Sequence, residues 1–488
     1  MQATSRSRAG RLAPALAAVL VLAGGCSLTR TDISECESNA ECRGAFGVGF
    51  VCNGDGLCDE AEPTPRCTQT FPADLFENRS ISRNQIVVGN LMDRSVETHV
   101  ARERSAQLAY DQVNGEGGLD GHDFAAVFCT IEENPDFDGL TRVEAAVSAA
   151  EFLTDVVGVP AIVGPAASGD TQEVYLDVSD RGVLLISPSA TSPALTSLDP
   201  ESVSNESPGR LWRTAASDAL QGSVIASDML EPGEGREVAV SSVAAIHEVG
   251  AYGDGLYEVF AREFQAGGGS VQEFPFDGAG QLSDAVGNVA LSSAEEVLFI
   301  SSQATDIAMF LDSAAKLGGF DGKGIFLTDA AANPDVLSSA DSSRFDQVRA
   351  TRPAPLDENA DLVYASFIAA YTAAFRDDVR SFSFAANAYD AAWLVIYGAA
   401  WAMFREGGEM TGENFARGLR HISSGDDIEV RPSGWVSVQQ AFREGTSIDA
   451  AGASGALDYD PDTEETSADI QVWRIEGRAA TGIYSVRP

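Results

Sequence analysis

The chain has 488 residues, 44% hydrophobic and 22% charged, enough for two or three domains with buried cores. Its 73 acidic and 32 basic residues leave a formal net charge of -41. A surface that acidic repels phosphate backbones and anionic headgroups, which argues against nucleic acid as a partner.

At the start, Arg6, Arg8 and Arg11 precede the apolar run "LAPALAAVLVLA" and the small residues "GGC". That order predicts a secretory signal over residues 1–25, since about a dozen apolar residues fall short of the roughly 20 a membrane span needs. "LAGGC" resembles the bacterial lipobox, which implies lipidation of Cys26; a plain cleaved signal is the alternative. Acyl chains would then be the only hold on a membrane, at the periplasmic or outer face of the cell envelope.

Six cysteines follow, and an oxidising compartment makes disulfides the default. Cys36, Cys42, Cys52 and Cys58 crowd into a Gly-rich stretch too small to bury a core. Residues 26–66 therefore read as the lipidated cysteine, a Cys-rich module and a linker. Two bridges are expected in the module, with three pairings open. A zinc site is the rival reading, but neither C-x-x-C nor histidine lies nearby. Cys67 and Cys129 remain as a third bridge.

From Gln85 the pattern is regular. "QIVVGNLM" reads as a strand, "ARERSAQLAYDQVN" as a helix and "HDFAAVFC" as a strand; helix "RVEAAVSAAEFLTD" leads to strand "VPAIVGP". Helix "TQEVYLDVSD" and strand "GVLLISP" follow. A second series starts near Arg236: strand "REVAVSSVA", helix "GDGLYEVFAREFQAGG", strand "AEEVLFISS", helix "ATDIAMFLDSAAKLGG" and strand "KGIFLTDA". After "RATRPAPL" the pattern turns mostly helical. Short apolar strands alternating with helices predict an α/β fold of two doubly wound parallel-sheet lobes joined by a hinge, with the disulfide-rich module in front.

In such sheets ligands sit beyond the carboxyl ends of the strands. Ser168, Ser189, Thr191, Tyr252, Ser302 and Asp329 all follow strand ends. Hydroxyls and amides there suit a carboxylate, and an ionised aspartate suits an ammonium group, so together they suit a zwitterion. Each also has a plainer reading: loop hydroxyls and Asp329 commonly cap helices.

At these residues the chain resembles the type I periplasmic binding proteins of the leucine/isoleucine/valine group. The resemblance runs from about Gln85 to Arg474, through "AYDQVNGEGGLDG", "AIVGPAASGDTQ", "GVLLISPSATSPALT", "RLWRTAASDALQG", "AYGDGLYEVFAREFQAGGG", "AYDAAWLVIYGAAW" and "GASGALDYDPDTEETSADIQVWRIE". It implies lobe 1 over 67–214 and 353–445, lobe 2 over 215–352, and a C-terminal segment, 446–488, returning to lobe 2. It also implies that Ser168 holds the ligand α-carboxylate. In the loop after the strand, Ser189 contributes backbone beside Ala190, and Thr191 reaches both charged ends. Tyr252 closes over the ligand, and Asp329 takes the ammonium. Ser302 joins the site, and Thr98 lines the side-chain pocket, although "MDRSVETHVARERS" lacks the family's Gly and Pro pattern there. The function implied is capture of a branched-chain or other neutral amino acid by a monomer that delivers it to an ABC transporter permease; a sensor without transport is the alternative. Neither a cofactor nor a metal is expected.

An enzyme finds little support: the sequence has no H-E-x-x-H, G-x-S-x-G or P-loop. "DYDPDTEE", Asp458 to Glu465, lacks the glycine of a calcium loop and reads as a solvated acidic turn.

Overall fold

The computed structural model describes residues 35–78, 84–199 and 203–487, so the signal segment and Cys26 lie outside the described residues. In the Cys-rich module, strands β1 (Phe50–Cys52) and β2 (Cys58–Glu60) pair antiparallel behind the helix Asn39–Phe46. Its two bridges are Cys36–Cys52 and Cys42–Cys58, which commits all four sulfurs. Arg43 Nη1 and Asn39 Nδ2 both donate to the Asp155 carbonyl at 2.9 Å, docking the module on the first lobe.

The first lobe's sheet runs β3 (Gln69–Phe71), β5 (Asp123–Thr130), β4 (Gln85–Met92), β6 (Ala161–Val163), β7 (Leu184–Ser187), β8 (Leu211–Arg213) across its width. Only β3 is antiparallel to its neighbour, and Cys67–Cys129 ties its approach to β5. β4 to β7 are near-continuous apolar runs because helices cover both faces. One cover is the helix Ala385–Arg405, mostly apolar and buried, whose Trp393 and Tyr397 pack on Trp435. The helix Arg142–Glu151 opens on a capping box between Thr141 and Glu144.

The second sheet runs β10 (Ser270–Phe276), β9 (Ser242–Glu248), β11 (Glu296–Ile300), β12 (Gly324–Leu327), β13 (Val348–Pro353), then the antiparallel pair β14 (Ile470–Glu476) and β15 (Ala479–Val486). β9 begins at Ser242, later than the strand expected at 236–244. Arg236 is instead bound to Asp228 and Glu296 in a turn, and Val238 is exposed. The chain regains this sheet only at Ile470, well after 446. The segment between packs Ile448, Ala450, Leu457 and Tyr459 into the first lobe's core.

The acidic turn departs from its expected solvated state at one end. Asp458 and Asp460 to Thr463 are exposed, but Glu464 is buried against Arg420, and Glu465 pairs with the buried Arg213.

Candidate functional site

Gly164, directly after β6, has φ +104, and a Cβ there would run into the Leu91 carbonyl oxygen. Glycine thus lets the chain turn off the sheet and start the helix Ser168–Val178, whose first amides lack intrahelical acceptors. On the opposite lobe, the loops after β9, β11 and β12 carry Tyr252, Ser302 and Asp329. The lobes touch here: Arg142 Nη1 reaches Gln303 Oε1 at 3.4 Å and Ser383 Oγ donates to the Ala332 carbonyl at 2.9 Å.

Six of the expected residues, Thr98, Ser168, Ser189, Tyr252, Ser302 and Asp329, line one cleft cavity of about 140 Å³. Asp329 is 5% exposed. Its Oδ1 accepts from the Tyr252 hydroxyl at 2.7 Å and from Gln221 Nε2 at 3.1 Å, while Oδ2 has no donor among the described residues. Burial, with Asp329 and Asp218 beside it, pushes the Tyr252 hydroxyl far above its ordinary pKa, so it stays a donor. Ser168 Oγ accepts from Ser192 N at 3.2 Å, which leaves its own proton for the cleft.

Ala190 and Thr191, expected in the site, stand back from the cavity. Ala190 is fully buried and its amide donates to Ser187 Oγ at 3.0 Å; Thr191 Oγ1 donates to Asp218 Oδ2 at 2.7 Å. Neither lines the cleft. The hydroxyls of this loop mostly build it. Ser187 donates to the Pro165 carbonyl, Ser192 to the Ala251 carbonyl across the lobes, and Thr196 to Glu465. Arg213 holds the carbonyls of Ala190 and Ser192 at 3.3 and 2.8 Å. Only Ser189 among these hydroxyls faces the cavity, donating to the Ala166 carbonyl at 2.8 Å.

Sequence reasoning missed Arg102. It stands one helical turn after Thr98 on the helix Glu97–Gly115, and i,i+4 spacing is the signal that places both on one face. Its Nη1 donates to Ser189 Oγ at 2.9 Å and its Nε to the Ser383 carbonyl at 3.1 Å. His99 adjoins it; burial, then the charges of Arg102 and Arg142, hold its pKa well below the ordinary value, so it is neutral at pH 7. Asp218, behind Asp329, is pushed well up by burial and by the Asp329 charge. A larger cavity of about 440 Å³ shares Asp329, Ala332, Ser383 and Phe384 with the cleft. The smaller one is the candidate site because it collects loops from the carboxyl ends of both sheets.

A family model described as periplasmic binding protein matches residues 86–479. The Leu/Ile/Val-binding protein homolog 3 of Brucella melitensis is 29% identical over 201 residues, 40% of this chain and 48% of that protein. The leucine-specific-binding protein of Salmonella typhimurium is 30% identical over 162 residues, 33% of this chain and 37% of that protein. The chain thus spans about half or less of these relatives. Among solved structures, LivJ of Streptococcus pneumoniae with isoleucine superposes with a TM-score of 0.62 at 20% identity, covering 83% of this chain and 100% of that one. LivK of Thermotoga maritima gives 0.62 at 17% identity, covering 83% and 99%. At such identities the likeness is one of fold.

Proposed function

The chain belongs to the type I periplasmic binding proteins of the leucine/isoleucine/valine group, and from that membership we propose that it captures an amino acid between its lobes. The family is one of substrate-binding proteins, and no catalytic step is proposed. The observation that carries the reading is the opposition, across one cleft, of a buried aspartate oxygen without a donor among the described residues and a serine at a helix start. The first suits an ammonium group and the second a carboxylate. A ligand touching both lobes stabilises the closed arrangement by its differential affinity, and closure is the signal a partner reads.

That partner is proposed to be an ABC transporter permease, with the chain acting as a monomer outside the cytoplasm. Among the described residues no helix is long and apolar enough to cross a membrane. Anchoring is assigned to acyl chains on Cys26.

The test is a thermal-shift panel of the common amino acids on the full chain. Saturation at 100 times Kd adds about 2.7 kcal/mol, so at least one amino acid should raise the melting temperature by several degrees or a clear fraction of that. A flat response across the whole panel would overturn the proposal.

A further inference from the structure

Arg102 is 7% exposed, and no carboxylate lies within 4 Å of it among the described residues. Arg102 lines the cavity; its Nε and Nη1 are tied to Ser383 and Ser189, whereas Nη2 donates to nothing among the described residues. Burial lowers its pKa to about 10, with Asp329 opposing, so it is charged at neutral pH. Asp329, its nearest anion, does not touch it, and a buried guanidinium without an anion in contact is costly; the cavity is where a contacting anion can enter. Arg142, the other cation of the cleft, is already neutralised by Asp93 and Asp170 at 3.0 and 2.8 Å.

The cleft also receives five helix starts, Glu97–Gly115, Arg142–Glu151, Ser168–Val178, Ala251–Ala266 and Ala304–Lys316, whose early residues Thr98, Arg142, Ser168, Tyr252 and Ala304 line it. Each N-terminus carries roughly half a positive charge. Against these and Arg102, Asp329 is the only lining carboxylate among the described residues, so one ligand carboxylate leaves the cleft positive. The net charge of the chain does not decide this, because exposed charges are screened beyond about 8–10 Å.

We propose that the ligand is an acidic amino acid, its α-carboxylate at Ser168, its ammonium at Asp329 and its second carboxylate on Arg102. This rests on the amino-acid capture argued above and narrows it away from the neutral ligands of the relatives.

Calorimetry on the full chain with L-glutamate, L-aspartate, L-glutamine, L-asparagine, L-leucine and L-isoleucine tests it. Glutamate or aspartate is expected to bind most tightly, and whichever binds should beat its amide by about thirty-fold or more, the scale of a desolvated charge pair. Arg102→Gln should collapse that acid-to-amide ratio to near one, a comparison within one variant that is independent of its stability; Arg102→Lys should keep part of it. Tighter binding of leucine or isoleucine than of either acid, or an unchanged ratio in Arg102→Gln, would overturn this inference and leave amino-acid capture standing. Binding of no amino acid would overturn both.

Discussion

Replacing Asp329 by asparagine is expected to weaken amino-acid binding by about thirty-fold or more, roughly 2 kcal/mol, with little change in melting temperature. The amide keeps the oxygen that accepts from Tyr252 and Gln221, so the wall stays built. It removes the one carboxylate lining the cleft, and with it the charge that faces an ammonium group. Removing that charge also relieves Asp218, whose pKa is raised first by burial and then by Asp329. The fold should therefore lose little. Titration calorimetry reads the affinity and a thermal melt reads the fold; an unchanged Kd would show that Asp329 is a structural acid only.

The second large effect is on stability. Asp390, fully buried in the helix Ala385–Arg405, accepts from Ala453 N at 2.9 Å, Ser454 N at 2.7 Å and Ser454 Oγ at 2.6 Å. Asp390→Ala strands these donors, at about 1–3 kcal/mol for each one left buried, for a total of about 4 kcal/mol. Burial raises the Asp390 pKa to about 7, and Glu464, also raised by burial, is likewise at about 7. A carboxyl whose folded pKa exceeds its unfolded value binds its proton more tightly when folded. Its contribution is present at low pH and is lost as pH rises from about 4 through about 7. Thermal melts of the native chain should thus show these two groups lowering stability across that window. Asp390→Asn, which no longer titrates, should flatten part of the slope. The same slope in the variant would mean that Asp390 is ionised throughout.

Much of this architecture was legible, and the reasons are local. β4, β7 and β11 announce themselves as apolar runs because both their faces are covered. β10, "SVQEFPF", is an edge strand with Glu273 exposed and Pro275 in its run, so its composition reads as loop. The strand expected at 236–244 starts only at Ser242, because two ion pairs hold Arg236 in a turn and Val238 is exposed.

The site was legible as a set of strand-end loops, not as directions of side chains. Six expected residues converge on the cleft, yet most hydroxyls of the Ser187–Thr196 loop turn inward to hold it, which only packing decides. Arg102 hides in "VARERS", a charged run that reads as a solvated helix face. What buries it is the Ser383 carbonyl and the Phe384 ring, 281 and 282 positions onward, with the guanidinium carbon 5.2 Å from the ring centroid.

The most direct measurement is a crystal structure of the chain with the amino acid that gives the largest thermal shift. The account expects that ligand in the cleft between the lobes, its ammonium nitrogen within hydrogen-bond distance of Asp329 and a carboxylate oxygen on Ser168. An amino acid seated instead in the larger cavity beside Arg352 and Tyr364, with Asp329 and Ser168 untouched, would contradict it.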